Sequence, residues 1–89
     1  MASADYANWA EPLRSERAIL AKADIDIEEG WKRLRGQQEL LDWLQRAGHD
    51  TEQAERLVGL LKQTLIEWER HRTLIVQRVA YLEERMASH

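Results

Sequence analysis

Several residue types are absent or scarce in this sequence, and each absence excludes a class of protein. The chain has 89 residues, with no cysteine, no phenylalanine, one proline and four glycines. Without cysteine it can form neither a disulfide framework nor a thiolate metal site. This lack is typical of a reducing compartment, so we expect a cytoplasmic protein. So few turn-forming residues also argue against a β-rich fold.

Long apolar runs and an excess of one charge are missing as well. No apolar stretch approaches the ~20 residues that span a bilayer. The N-terminal residues lack the basic start and apolar run of a secretory signal. The net charge is −3, with acids and bases interspersed, whereas nucleic-acid-binding domains concentrate lysine and arginine on one face. We therefore expect neither a membrane nor a nucleic acid as partner.

What the sequence does contain is a set of apolar residues that recur every seven positions. In the first half these are Leu13, Leu20, Ile27, Leu34 and Leu41. In the second half they are Ala54, Leu61, Trp68, Ile75 and Leu82, interleaved with Val58, Leu65, Arg72, Val79 and Met86. This spacing places each set on one face of an α-helix. It predicts an all-α fold, an antiparallel two-helix hairpin with coiled-coil-like packing.

The helix boundaries follow from the residues that flank the repeats. We predict a first helix over about residues 12–47, a turn at 48–50 and a second helix over about residues 51–86. The whole chain, 1–89, is predicted to be one domain, since it is near the size at which burying enough apolar surface becomes difficult.

Capping residues support these boundaries. Asn8 and Glu11 have the spacing of a capping box, and Pro12 is tolerated in the first turn of a helix. Gly48 lies where helices commonly end in a left-handed residue. Asp50 is a good N-cap for the second helix.

Folding the chain about this turn predicts which residues face each other. Residue numbers of facing partners add to roughly 99 in a hairpin of this register. Gly30 then lies opposite Trp68, a match of a missing side chain with a large one. Arg72 occupies a core position of the repeat and needs a carboxylate partner, for which Asp24 and Glu28 are the candidates.

Apolar residues outside the seam predict self-association. A two-helix hairpin cannot cover both sides of its apolar surface, and two hairpins that pair as a four-helix bundle would bury it. The predicted homodimer interface lies near the turn and comprises Leu40, Trp43, Leu44, Ala47, Leu57 and Leu60. The alternatives are that residues 4–9 fold back to give a monomer, or that another protein covers this surface.

Three of the four tryptophans bear on the packing. Trp31 and Trp68 fall on or beside the seam and are predicted to lie in the core. Trp43 lies toward the outside and is predicted to anchor an interface, because aromatic side chains are enriched in such contacts.

A band of polar residues crosses the predicted hairpin and has two interpretations. It comprises Asp24, Glu28, Gln38, His71 and Arg72. Polar residues in a helical seam often fix register and oligomeric state. Alternatively, the band is a small ligand pocket in which Arg72 binds a carboxylate or phosphate beside a titratable His71.

The three histidines do not have the arrangement of a metal site. His49, His71 and His89 are far apart in the predicted hairpin, and the HExxH motif is absent, so we expect neither a metal nor another cofactor.

The run Glu-Trp-Glu-Arg-His-Arg at 67–72 loosely resembles the phospho-accepting run of one class of sensor kinases. That resemblance implies phosphotransfer by His71, although the Lys-Asn that follows in that class is missing here.

The most specific resemblance involves the turn. Gly48-His49-Asp50-Thr51 ahead of Ala54, together with Ile27-Glu28-Glu29-Gly30, is similar to a group of short alphaproteobacterial proteins. The similarity covers about residues 25–76. It implies a helical hairpin of bacterial cytoplasmic origin, and it implies no activity. The sequence as a whole thus predicts a non-enzymatic, homo-oligomeric adaptor or regulator.

Overall fold

The structure, a computed structural model, is a hairpin of two α-helices. It describes the backbone of residues 2–88 and the side chains of residues 8–88. Helix α1 spans Ala2–Arg46 and helix α2 spans Glu52–Ala87. The helices are antiparallel, because Arg17 on α1 pairs with Glu83 while Asp24, further along α1, pairs with Arg72. The predicted all-α hairpin is confirmed.

The predicted seam is also confirmed. Every apolar residue that is buried in the described part of the chain belongs to one of the seven-residue repeats: Leu13, Leu34, Ala54, Val58, Leu65, Ile75, Val79 and Leu82. Helical periodicity turns these positions toward the other helix. Burial at the seam therefore follows directly from the sequence pattern.

The predicted start of α1 is wrong. The helix begins at Ala2 and contains Pro12 in its interior, so Asn8 lies within the helix rather than at a cap. Glu11 pairs with Arg14 one turn later. Tertiary packing explains the extension: Trp9 packs against the cluster around Leu13, and burial of such a side chain offsets the cost of the proline.

The turn between the helices has the predicted chemistry. Gly48 adopts a φ of 72°, which glycine reaches without steric strain. The N–H of Gly48 donates to the carbonyl of Gln45 and the N–H of His49 donates to that of Leu44, the two bonds of a Schellman motif. The carboxylate of Asp50 accepts a hydrogen bond from the N–H of Glu52 at 3.1 Å, which caps α2.

The hairpin contains two compact units, each built from a segment of both helices. The first unit combines the residues up to Asp24 with those from Arg70 onward. Its buried cluster consists of Leu13, Ile75, Val79 and Leu82, with Trp9, Leu20, Ala23 and Met86 packed against it. The prediction of a single domain stays a prediction.

Ion pairs join the helices of the first unit. Among the described residues they include Arg17–Glu83, Arg72–Asp24 and Arg78–Glu16. The guanidinium of Arg85 also lies 4.9 Å from the ring centroid of Tyr81 and 5.8 Å from that of Trp9, close enough for cation–π attraction. Charge therefore contributes to the pairing of α1 and α2 in this unit.

The second unit, Ile25–Glu69, includes the turn. Its buried cluster consists of Leu34, Val58 and Leu65, with Ile27, Leu41 and Leu61 packed against it. Gly30 is buried where α1 faces Trp68, and a Cβ there would lie 2.9 Å from Leu65 Cδ2 and 3.2 Å from Trp68 Cζ3. The predicted match of Gly30 with Trp68 is confirmed.

Candidate interaction surfaces

Two apolar surfaces flank the seam of the second unit, and the first lies near the turn. We call it the turn face and define it as the predicted interface residues Leu40, Trp43, Leu44, Ala47, Leu57 and Leu60. The four large residues that face solvent here, Leu40, Trp43, Leu57 and Leu60, are between 41% and 59% exposed. Leu44 is half-buried at the seam and Ala47 is exposed.

Helix geometry places these residues together. On α1, steps of three and four residues connect Leu40, Trp43 and Ala47, so they share one flank of the helix. Leu57 and Leu60 do the same on α2. The turn face thus comprises a group of apolar side chains on each helix beside the turn, and grouped apolar side chains of this kind commonly mark interaction sites.

The turn holds Trp43 in place. The imidazole ring of His49 lies 5.5 Å from the indole ring of Trp43, with 30° between the ring planes. The backbone N–H of His49 donates to the carbonyl of Leu44, and this turn places the imidazole beside the indole. A ring contact of this kind restricts the rotamers of the indole, which lowers the conformational entropy that the side chain loses on binding.

The second surface is an open groove of about 510 Å³ between α1 and α2. We call it the lateral groove. Its lining residues are Trp31, Leu34, Arg35 and Gln38 from α1 and Lys62, Leu65, Ile66 and Glu69 from α2. Leu34 and Leu65 are almost fully buried and form its floor, whereas Trp31 and Ile66 are exposed.

The groove lies on the flank opposite the turn face. At 100° per residue, Trp31 and Leu40 point to opposite sides of the seam that contains Leu34. On α2, Lys62 and Leu57 point to opposite sides in the same way. Both surfaces can therefore be occupied at the same time.

Two predictions about tryptophan are wrong. Trp31 and Trp68 are 41% and 38% exposed, rather than lying in the core. A two-helix seam has only one layer of side chains on each helix, so it cannot enclose an indole on all sides. Trp68 covers Gly30 with one edge of its ring, and Trp31 stands beside the groove.

The polar band does not form one site in the way the sequence suggested. Arg72 donates a hydrogen bond from Nε to the carboxylate of Asp24, the first of its two expected partners. Glu28 instead pairs with Lys32 on its own helix. Gln38 lines the lateral groove.

Electrostatics and packing give Arg72 and His71 different surroundings. The hydrogen bond to Asp24, reinforced by the charge of that carboxylate, raises the pKa of the Arg72 guanidinium above its ordinary value. His71 is exposed and lines a small hollow of about 250 Å³ beside Glu16 and Arg78. Those two residues pair with each other at 2.8 Å, and Arg72 is already engaged by Asp24.

Sequence reasoning missed the lateral groove, although one signal was available. Trp31 and Gln38 are seven residues apart, as are Lys62 and Glu69, and both pairs lie next to the seam on the same flank. Large apolar and polar residues alternate along that flank. The depth of the groove depends on the distance between the helices, which the sequence pattern does not specify.

Comparisons with protein-family models, with curated proteins and with solved structures find no match to this chain. Among the described residues, no helix has the length and apolar character needed to cross a membrane. In the same part of the chain, histidine and acidic side chains nowhere gather in groups of three that could hold a metal ion.

Proposed function

We propose that this protein is a non-enzymatic interaction module that self-associates through its turn face. The observation that supports the proposal is the exposure of four large apolar side chains on one flank beside the turn. Pairing two copies of this face brings four helices side by side and removes the patch from water. A two-fold contact of this kind needs a self-complementary surface, which grouped apolar side chains provide.

Apolar burial supplies the driving force for this dimer. Full burial of one large apolar side chain contributes about 1.5–3 kcal/mol. Leu40, Trp43, Leu57 and Leu60 are already about half covered in the single chain, so each supplies about half of that value, and the full set from two copies is comparable with the loss of rotational and translational freedom on association, about 4–15 kcal/mol. Trp43 is the natural anchor, because tryptophan is enriched among the residues that dominate binding energy and its ring packs beside His49.

The same proposal extends to setting and role. Resemblance of the turn to short alphaproteobacterial proteins and the lack of cysteine support a bacterial cytoplasmic origin. We infer a small homodimeric adaptor or regulator, because its surfaces suit contact with other proteins.

Light scattering over a range of concentrations tests the dimer. We expect a mass twice that of the 10.5 kDa chain. Leu60→Glu and Trp43→Ala should shift the mass to that of the monomer with the helical circular dichroism retained. Ile25→Glu is the matched control, since Ile25 is as exposed as Leu60 and lies outside the turn face and the lateral groove. A monomeric wild type, or equal disruption by Ile25→Glu, would contradict the proposal.

A further inference from the structure

The lateral groove has the length of a site that binds two turns of an α-helix. Along α1 it extends from Trp31 to Gln38, which is two helical turns or about 10 Å. An amphipathic helix that binds in a groove presents side chains at i, i+3 or i+4, and i+7, and these anchors span the same length. Leu34 and Leu65 provide an apolar floor for them.

The charged side chains that line the groove indicate the charge of its occupant. Arg35 lines it from α1 and Lys62 lines it from α2. Neither makes an ion pair within the part of the chain that the structure describes. The arginines of the first unit at 17, 72 and 78 are all paired across the helices. Glu69 also lines the groove, and it already takes part in an interaction within the chain.

We propose that the lateral groove binds an amphipathic α-helix of another protein, one whose apolar stripe has acidic residues on both sides. The two cations come from different helices and so lie on opposite rims of the apolar floor. A helix with carboxylates on both flanks pairs with Arg35 and Lys62 together, whereas an amphiphile with a single anionic head pairs with only one. Complementary charge of this kind gives specificity and orientation.

This binding is independent of the proposed dimer. The groove and the turn face lie on opposite flanks of the second unit, so a dimer formed through the turn face leaves both grooves open. The proposal therefore adds a partner of stated chemistry to the self-association, and each can fail alone.

The probe is a fluorescein-labelled helical peptide of about 15 residues, with leucine at i, i+3 and i+7 and glutamate on both sides of that stripe. The control peptide has lysine at every glutamate position. We expect the full-length protein to bind the acidic peptide at least about tenfold more tightly than the basic one by fluorescence anisotropy. Ile66→Ala should weaken the binding, since Ile66 lines the groove.

Charge reversal gives the sharpest result. Arg35→Glu combined with Lys62→Glu should invert the preference, so that the basic peptide binds more tightly. Arg33→Glu is the matched control, because it makes the same change on the opposite flank of the same helix and should leave the affinity unchanged. Light scattering of each variant should give the mass of the wild type.

Three results would overturn the proposal. The first is equal affinity for the acidic and basic peptides. The second is an effect of Arg33→Glu as large as that of the double variant Arg35→Glu, Lys62→Glu. The third is a wild-type mass that falls on mutation of Ile66 to glutamate, which would show that a second copy of this chain occupies the groove.

Discussion

The two units of the hairpin hold the same pair of helices together by different means. In the first unit, ion pairs such as Arg17–Glu83 and Arg78–Glu16 connect α1 with α2 beside an apolar cluster. In the second unit, the pairs Lys32–Glu28 and Arg56–Glu52 each stay within one helix, and the close fit of Gly30 against Leu65 brings the helices together. The turn face and the lateral groove, which we propose as interaction surfaces, both belong to this second unit.

Polar residues in the seam show the same difference. Glu16 and Arg72 of the first unit each have a partner of opposite charge. In the second unit, Gln37 Oε1 is buried without a hydrogen-bond partner among the described residues. These two polar seam side chains of the first unit are thus paired, while the second unit retains a buried oxygen without a partner, which is expected to be destabilising.

The largest expected effect concerns the floor of the second unit. Leu65→Ala should lower the free energy of unfolding by about 2–5 kcal/mol, because Leu65 is the most deeply buried large side chain described and its removal leaves a cavity. Leu74→Ala is the control, since that leucine is 58% exposed. Urea unfolding at a fixed protein concentration measures both. Equal losses would contradict the packing assigned to this unit.

Replacement of the two glycines of α1 by alanine should change the stability of the protein in opposite directions. Gly30→Ala should destabilise the protein by about 1–3 kcal/mol, since the added methyl group overlaps Leu65 and Trp68. Gly36→Ala should stabilise it by about 0.5–1 kcal/mol, because nothing lies within 4 Å of that Cβ position and alanine favours the helix. Thermal unfolding compares the two, and stabilisation by Gly30→Ala would contradict the close approach.

Replacement of Gln37 should raise the stability. Gln37→Leu removes a buried carbonyl oxygen that lacks a partner, and we expect a gain of about 1 kcal/mol. Gln77→Leu is the control, since Gln77 is exposed in the first unit, and its effect should stay within about 0.5 kcal/mol. A loss of stability in Gln37→Leu would show that this amide has a structural role.

The smallest effect is expected at the pair Asp24–Arg72. Both side chains are about half exposed, so a double-mutant cycle with alanine at each position should give a weak coupling that added salt screens. Because the pKa of Arg72 is raised, its contribution is present below the ordinary arginine pKa and is lost only as the pH rises past the raised value. We expect no change from this group across the neutral range. A coupling that resists about 1 M salt would contradict this account.

Much of the fold could be predicted because it depends on local rules. Gly48 and Asp50 identify the turn through backbone chemistry that acts over a few residues. Exposure of Leu40, Trp43, Leu57 and Leu60 could be predicted because they lie outside the repeats, whereas Leu44, also outside them, is half-buried at the seam. The start of α1 could not be predicted from the sequence, because Trp9 stabilises the helix ahead of Pro12 through packing against α2.

The sequence by itself determined the two helices, their antiparallel pairing and the residues of the seam, since a seven-residue repeat leaves one face per helix for burial. Only the tertiary structure decided that Asp24 rather than Glu28 pairs with Arg72, that Trp31 stands exposed, and that Arg35 and Lys62 lie on opposite rims of one groove. These outcomes depend on the distance and rotation between two helices. The side chains of both helices together set this distance and this rotation, so the repeat of one helix does not predict them.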